Sequence, residues 1–245
     1  MDISYHIPEQ DALLHLNLHM LPRSDRDRLY RMLMNQEPET WFTVYGHIVT
    51  LTGNDNALVD RYYLYIHPDE ITRDIPVNRQ SILEQIITYA TANGCSMVIF
   101  DDMVAPCWEH PFDINKPARI PELHHVIHLS NAHLTPNINT LMDIQMHPAD
   151  FLTLYPKQDN EETYGHFLHI NRKLIKYPHM MDAAIDQLNS QLTSRLSMLT
   201  KKDTDSLAAC LKTAAMFYAD IICFDGDVKP AAGLPIYLNE SEEPV

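Results

Sequence analysis

The chain reads as an α+β protein built from two tandem βαββαβ domains, ferredoxin-like or a similar α/β sandwich, the second carrying an inserted amphipathic helix. Three observations predict this. Phe100-Asp101-Asp102-Met103-Val104-Ala105-Pro106 returns as Phe224-Asp225-Gly226-Asp227-Val228-Lys229-Pro230, a step of 225 − 101 = 124 residues. Each stretch follows a helix-like segment and a short apolar run, Cys95 to Ile99 and Ala219 to Cys223. Each is therefore read as a strand that delivers an aspartate to its C-terminal end. Two further echoes keep the same order: Asn17, His19 and Pro22 with Asn131, His133 and Pro136, and Tyr45-Gly46-His47 with Tyr164-Gly165-His166. For the second of these, Thr43-Val44-Tyr45 against Thr153-Leu154-Tyr155 is a competing alignment. A repeat longer than about 50 residues means duplicated domains rather than a solenoid.

In chain order, residues 14 to 20 alternate apolar with polar, as in a strand with one buried face. Pro22 and Ser24 open a short amphipathic helix carrying Leu29, Met32 and Leu33 at helical spacing. Trp41 to Leu51 and Tyr62 to Ile66, joined by Thr52-Gly53-Asn54-Asp55-Asn56, form a hairpin. Ser81 with Glu84 makes a capping box for a helix that bears Ile82, Ile86 and Ala90 and closes at Asn93-Gly94. The run into Asp101 completes the βαββαβ order of a split βαβ unit. Pro106, Pro111, Pro117 and Pro121 then mark a linker. Domain boundaries follow at 1–117 and 118–245.

The second copy starts with a strand from Leu123 to Leu134, then Thr135-Pro136 as N-cap and first helical residue. The Tyr164 strand comes next. Ile185, Leu188, Leu192, Leu196 and Leu199 lie at steps of three and four within the inserted helix, near 180–199. That stripe covers a sheet, or it forms an interface between copies or between two chains of a homodimer. A helix beginning near Asp205, the Asp225 strand, a short edge strand at Leu234-Pro235-Ile236-Tyr237-Leu238 and an acidic tail with Glu240, Glu242 and Glu243 complete the chain.

Composition limits the function classes. The chain has 245 residues, 45% hydrophobic and 21% charged, enough to bury a real core, and a formal charge of −15. Residues 1–117 hold 17 Asp+Glu against 8 Lys+Arg, and the rest 16 against 10, so neither half is a basic platform for nucleic acid. Acidity instead favours encounter with a positively charged protein partner. Cys95, Cys107, Cys210 and Cys223 form no C-x-x-C and read as reduced and buried. No apolar run approaches the roughly 18 residues needed to span a bilayer, and no secretory leader is evident, so a cytoplasmic, membrane-free protein is expected.

Asp101 with Asp102, and Asp225 with Asp227, are the candidate metal carboxylates, since hard cations take such ligands. Turn capping is the competing role. His124, His125, His128 and His133 share no zinc-like spacing, with His124 and His128 on one strand face and His125 and His133 on the other. Cys107 next to Trp108, Glu109 and His110 is the only Cys-His proximity and reads as a packing patch. No glycine-rich phosphate loop and no G-x-S-x-G is present. No catalytic residue and no cofactor is expected.

Ala132-His133-Leu134-Thr135-Pro136, His147-Pro148, Tyr164-Gly165-His166-Phe167, Leu207 to Ala215, Phe224-Asp225-Gly226-Asp227 and Leu234-Pro235-Ile236-Tyr237 resemble a family of small uncharacterised proteins carried by bacterial plasmids, prophages and integrative elements. The resemblance covers roughly residues 123 to 239. It implies a bacterial host cell and a neighbourhood of toxin–antitoxin, antirestriction and other anti-defence genes. The resulting expectation is a non-enzymatic, acidic inhibitor of the anti-CRISPR or antirestriction type, which competes for the basic, nucleic-acid-binding surface of a defence complex. A metal-dependent hydrolase or nuclease using the strand-end aspartates, and a toxin–antitoxin accessory protein, are the rivals.

Overall fold

The computed structural model describes residues 9–35, 42–50, 57–67, 80–102, 104–108, 113, 121–143, 149–159, 162–171, 174–175, 180–196 and 198–237. By internal packing the described residues of Met1–Gln10, His125–Pro156 and Thr163–Val245 form one unit, here the C-terminal unit. Those of Asp11–His124 and Lys157–Glu162 form the other, the N-terminal unit.

In the N-terminal half the elements are β1 (Glu9–Asn17), α1 (Arg23–Asn35), β2 (Phe42–Thr50), β3 (Ala57–Ile66), α2 (Ile82–Ala92) and β4 (Met97–Asp101). Helix α2 begins as its sequence predicts. Ser81 Oγ accepts from Glu84 N–H at 3.2 Å, and Ser81 N–H donates to Glu84 Oε2 at 2.9 Å, so two first-turn donors are satisfied reciprocally. Buried Asp25 of α1 also accepts from Leu83 N–H at 3.0 Å, tying the two helix starts together. Leu29 and Leu33 of α1 and Leu83, Ile86 and Ile87 of α2 pack on Leu14, Leu16, Leu64, Val98 and Phe100 of the strands. Each such side chain contributes about 1.5–3 kcal/mol by leaving water.

The later elements are β5 (Glu122–Ser130), α3 (Pro136–Asp143), β6 (Leu152–Asp159), β7 (Glu162–Ile170), α4 (Met180–Arg195), α5 (Lys201–Met216) and β8 (Ile221–Asp225). Helix α5 starts four residues before the expected Asp205, because Thr200 caps it: Thr200 Oγ1 accepts from Asp203 N–H while Asp203 Oδ2 accepts from Thr200 N–H at 2.7 Å. The Leu234–Tyr237 segment is not a strand. Pro235 has no N–H to give a ladder, and the segment is held instead through Tyr237 N–H, which donates to Ala132 O at 2.7 Å.

The arrangement of two tandem ferredoxin-like βαββαβ domains does not hold. The strands of the N-terminal half run in the order β1-β4-β3-β2, and those of the C-terminal half in the order β6-β7-β8-β5. A ferredoxin-like sheet would set β1 between β3 and β4. Here β4 lies between them, parallel to β1 and antiparallel to β3. Strand β8 likewise lies between parallel β5 and antiparallel β7. Burial gives the physical reason. Leu14, Leu16, Val98 and Phe100 face the helix-side core, yet Leu13, Met97, Ile99 and Tyr63 on the opposite face are 0% exposed too. A two-layer sandwich needs only one buried sheet face; these strands bury both.

Ladder positions also correct the internal echoes. Leu13↔Met97 corresponds to Val126↔Ile221, so β1 and β5 are related by a step of 126 − 13 = 113 residues. Met20, not His19, therefore corresponds to His133; His19 is exposed and His133 fully buried. Tyr45-Gly46-His47 lies on β2 and Tyr164-Gly165-His166 on β7, which are not equivalent strands, whereas Thr43-Val44-Tyr45 and Thr153-Leu154-Tyr155 lie on equivalent β2 and β6. Matching hydrogen bonds fix the rest: Ile66 N–H to Ser96 O and Ile170 N–H to Asp220 O, both at 2.8 Å.

Candidate functional site

Asp101 ends β4 opposite Asn17 of β1 and Arg61 of β3. Because strand side chains alternate, His15, Asn17, Arg61 and Asp101 share the sheet face turned away from α1 and α2. Asp101 is 1% exposed, and its Oδ2 accepts from Arg61 Nη2 at 2.6 Å and from His15 Nε2 at 2.9 Å. Two charge-assisted donors on one oxygen are what allow a carboxylate and a guanidinium to be buried together. The donor role of His15 Nε2 leaves Nδ1 as the lone-pair nitrogen of the neutral ring.

That Nδ1 lies 3.4 Å from His124 Nε2, with the two rings 5.4 Å apart and tilted by 55°. Glu122, two positions before His124 on the same face of β5, brings Oε2 to 3.9 Å from His124 Nε2. Ligand atoms of His15, Glu122 and His124 all lie within 4.8 Å of one another. Chemically this is two imidazoles and a carboxylate, a set that divalent transition metals accept.

The carboxylate pairs do not assemble. Asp102 is exposed while Asp101 is buried, as adjacent strand-end residues alternate. Asp225 Oδ1 accepts from Asp227 N–H at 3.0 Å, so it caps its own turn, and Asp227 is exposed. Across β7 Asp225 meets Gly165 where Asp101 meets Arg61. A Cβ at Gly165 would stand 2.1 Å from Phe224 O, so only glycine permits that approach. His166 next to it is buried, 3.4 Å from Asp143; burial pushes its pKa down and Asp143 pushes it partly back.

Other polar side chains hold elements together. His133 is 0% exposed: Nδ1 donates to Pro235 O at 2.8 Å, and Nε2 accepts from Ala231 N–H at 2.8 Å. Burial lowers its pKa, while the Pro235 carbonyl favours the charged ring and opposes that. Asp203 takes Thr135 Oγ1 at 2.6 Å, along with Thr200 and Asn137. Burial pulls its carboxyl upward, but those hydrogen bonds outweigh it and the net shift is downward. Lys157, which is 6% exposed, sets its ammonium 4.5 Å from the Tyr45 ring centre and 4.8 Å from that of Tyr65, an edge-to-face pair.

Of the candidate interface residues, Ile185, Leu188 and Leu192 are buried in the C-terminal unit's own core with Leu207, Cys210 and Leu211 of α5. Glu240, Glu242 and Glu243 lie outside the described residues, as does the His147-Pro148 pair. Cys107 and Trp108 are buried in the N-terminal core, where Trp108 stands edge-on to Tyr89. All four cysteines are free and buried, and burial raises the Cys210 and Cys95 thiols.

Sequence reading missed His15, Glu122, Arg61 and Lys157. His15 was visible only as one polar residue in an alternating strand, and nothing local ties it to Asp101, 86 residues on. No protein-family model, curated protein or solved structure matches the chain. Among the described residues no helix is long and apolar enough to cross a membrane.

Proposed function

We propose that the protein is a non-enzymatic, acidic protein-binding inhibitor from a mobile genetic element, of the counter-defence type, which competes with nucleic acid for a basic surface of a host defence complex. The observation that carries this reading is where the negative charge sits. Buried Asp25, Asp101 and Asp203 are each engaged in internal hydrogen bonds. Asp27, Asp143 and Asp182 have side chains 63%, 63% and 72% exposed, on a chain of net charge −15. Such a surface raises the encounter rate with cationic partners and repels nucleic acid. The resemblance to mobile-element proteins supplies the biological setting.

Affinity capture from a bacterial host, followed by phage and plasmid challenge of cells carrying defined CRISPR and restriction systems, tests the proposal. A defence complex should be captured in a salt-sensitive manner, and interference should fall when the protein is present. Capture of a toxin would move the protein to the toxin–antitoxin class. Equal interference with and without the protein across those systems overturns the proposal.

A further inference from the structure

We propose that His15, His124 and Glu122 bind one divalent transition-metal ion of the zinc class, with Asp101 and Arg61 as positioning residues behind His15. All five belong to the N-terminal unit. In a tetrahedral site with metal–nitrogen bonds of about 2.0–2.1 Å, two ligand nitrogens stand about 3.3 Å apart. His15 Nδ1 and His124 Nε2 are 3.4 Å apart. Glu122 Oε2, at 3.9 Å from His124 Nε2 and with the three ligand atoms all within 4.8 Å of one another, completes the triangle on a side chain that is 54% exposed and has room to swing inward.

The bond behind His15 argues for a site over a chance cluster. A metal-ligating histidine typically donates its other ring N–H to a carboxylate, which fixes the tautomer and raises the basicity of the ligating nitrogen. His15 Nε2 does this to Asp101 at 2.9 Å, and Arg61 Nη2, 2.6 Å from the same oxygen, holds that carboxylate in place. His15 Nδ1 is thereby presented as a lone pair toward His124 and Glu122. Two imidazoles and one carboxylate select zinc-like ions over calcium or magnesium, which prefer oxygen sets. Three protein ligands leave a fourth position for water or for a donor from a bound molecule. The competing arrangement is a plain hydrogen bond from His124 Nε2–H to His15 Nδ1.

Titration of the chelator-treated full chain with Zn²⁺, and separately with Co²⁺, decides between them. The expected result is one saturable equivalent, an upward shift in Tm on binding, and a Co²⁺ visible band of tetrahedral intensity. His124→Ala should weaken binding at least tenfold, and Glu122→Gln about tenfold; both side chains reach solvent, so these variants should fold. His19→Ala, at an exposed histidine elsewhere in the chain, should change nothing. Asp101→Asn should weaken binding by about 10- to 100-fold and move the Co²⁺ band, which a loss of stability alone does not do. Absence of saturable binding, or weak binding that His124→Ala and Glu122→Gln leave unchanged, overturns the site and leaves only the hydrogen bond.

Discussion

Gly94 and Tyr218 occupy the same position in equivalent helix-to-strand turns, and both have left-handed backbone, with φ of 73° and 54°. In each turn the next residue closes the helix with the same long bond, Cys95 N–H to Ala90 O and Ala219 N–H to Ala214 O, both at 2.9 Å. Glycine adopts that backbone freely, whereas a bulky L-residue is strained there by about 1–2 kcal/mol. Tyr218 is 67% exposed and so loses little packing when removed. Tyr218→Gly should therefore stabilise the protein by about 0.5–1 kcal/mol after the entropy of the freer unfolded chain is subtracted. Gly94→Ala, with open space around the added Cβ, should destabilise it by about 1 kcal/mol. Urea midpoints test both, and a destabilised Tyr218→Gly would contradict the account.

Gly165→Ala should be among the costliest single substitutions. Its Cβ would collide with the Phe224 carbonyl, a backbone atom that cannot swing aside, so β7 and β8 must separate locally. A loss of about 3 kcal/mol or more is expected. Gly226→Ala meets nothing closer than Asn131 Nδ2 at 4.0 Å and should stay within about 0.5 kcal/mol of the parent. Similar thermal shifts for the two variants would refute the steric explanation.

Stability should fall as the medium is acidified from neutrality toward pH about 5, before most carboxylates titrate. Burial lowers the pKa values of His133 and His166 below the ordinary 6.5. The unfolded chain therefore takes up protons that the native rings refuse. The native state has its full advantage above 6.5 and loses it as pH falls toward the lowered native values, by up to about 1.4 kcal/mol per pH unit for each ring. Once pH falls to the lowered native value, a protonated His133 can no longer accept from Ala231 N–H, so the protection factors of Ala231 and Tyr237, corrected for the slower intrinsic exchange in acid, should fall there. Flat unfolding midpoints from pH 7 to 5 would disprove this.

Asp203 adds a second, more acidic transition. Its carboxyl is held below its ordinary value of 3.8, so its contribution is complete above that value and disappears as pH falls through the lowered native one. Asp203→Ala strips the acceptor from Thr135, Thr200 and Asn137 and should cost about 3 kcal/mol. Asp203→Asn, which keeps one acceptor oxygen, should cost about half as much. Chemical denaturation at pH 7 gives both numbers, and equal costs would contradict this account by showing that the oxygen and volume retained in Asn contribute nothing at this site.

Local features of this fold could be read from sequence because their causes are local. The Ser81/Glu84 capping box, the α1 and α4 apolar spacings and the β2–β3 hairpin each depend on residues a few positions apart. Strand order does not, since it is decided by how β4 and β8 bury both faces. A sign of that was present in the unbroken runs Met97–Phe100 and Ile221–Phe224, which lack the alternation of a half-exposed strand. The short echoes misled because three matching letters recur by chance at a one-residue offset, as at His19 and His133. The link from His15 to Asp101 and His124 exists only in the folded N-terminal unit, and no spacing along the chain encodes it.

The enclosure of Lys157 by Tyr45 and Tyr65 has a practical consequence for solution work. Its ammonium rests on aromatic faces and away from water, so amine reagents such as acetylating or reductive-methylating agents should modify exposed Lys201 and Lys212 readily and Lys157 only when the N-terminal unit opens. The labelling rate of this one amine, read by peptide mass, thus works as a built-in gauge of that unit's opening. It needs no engineered probe, and it can follow a binding partner or a metal ion as either is added.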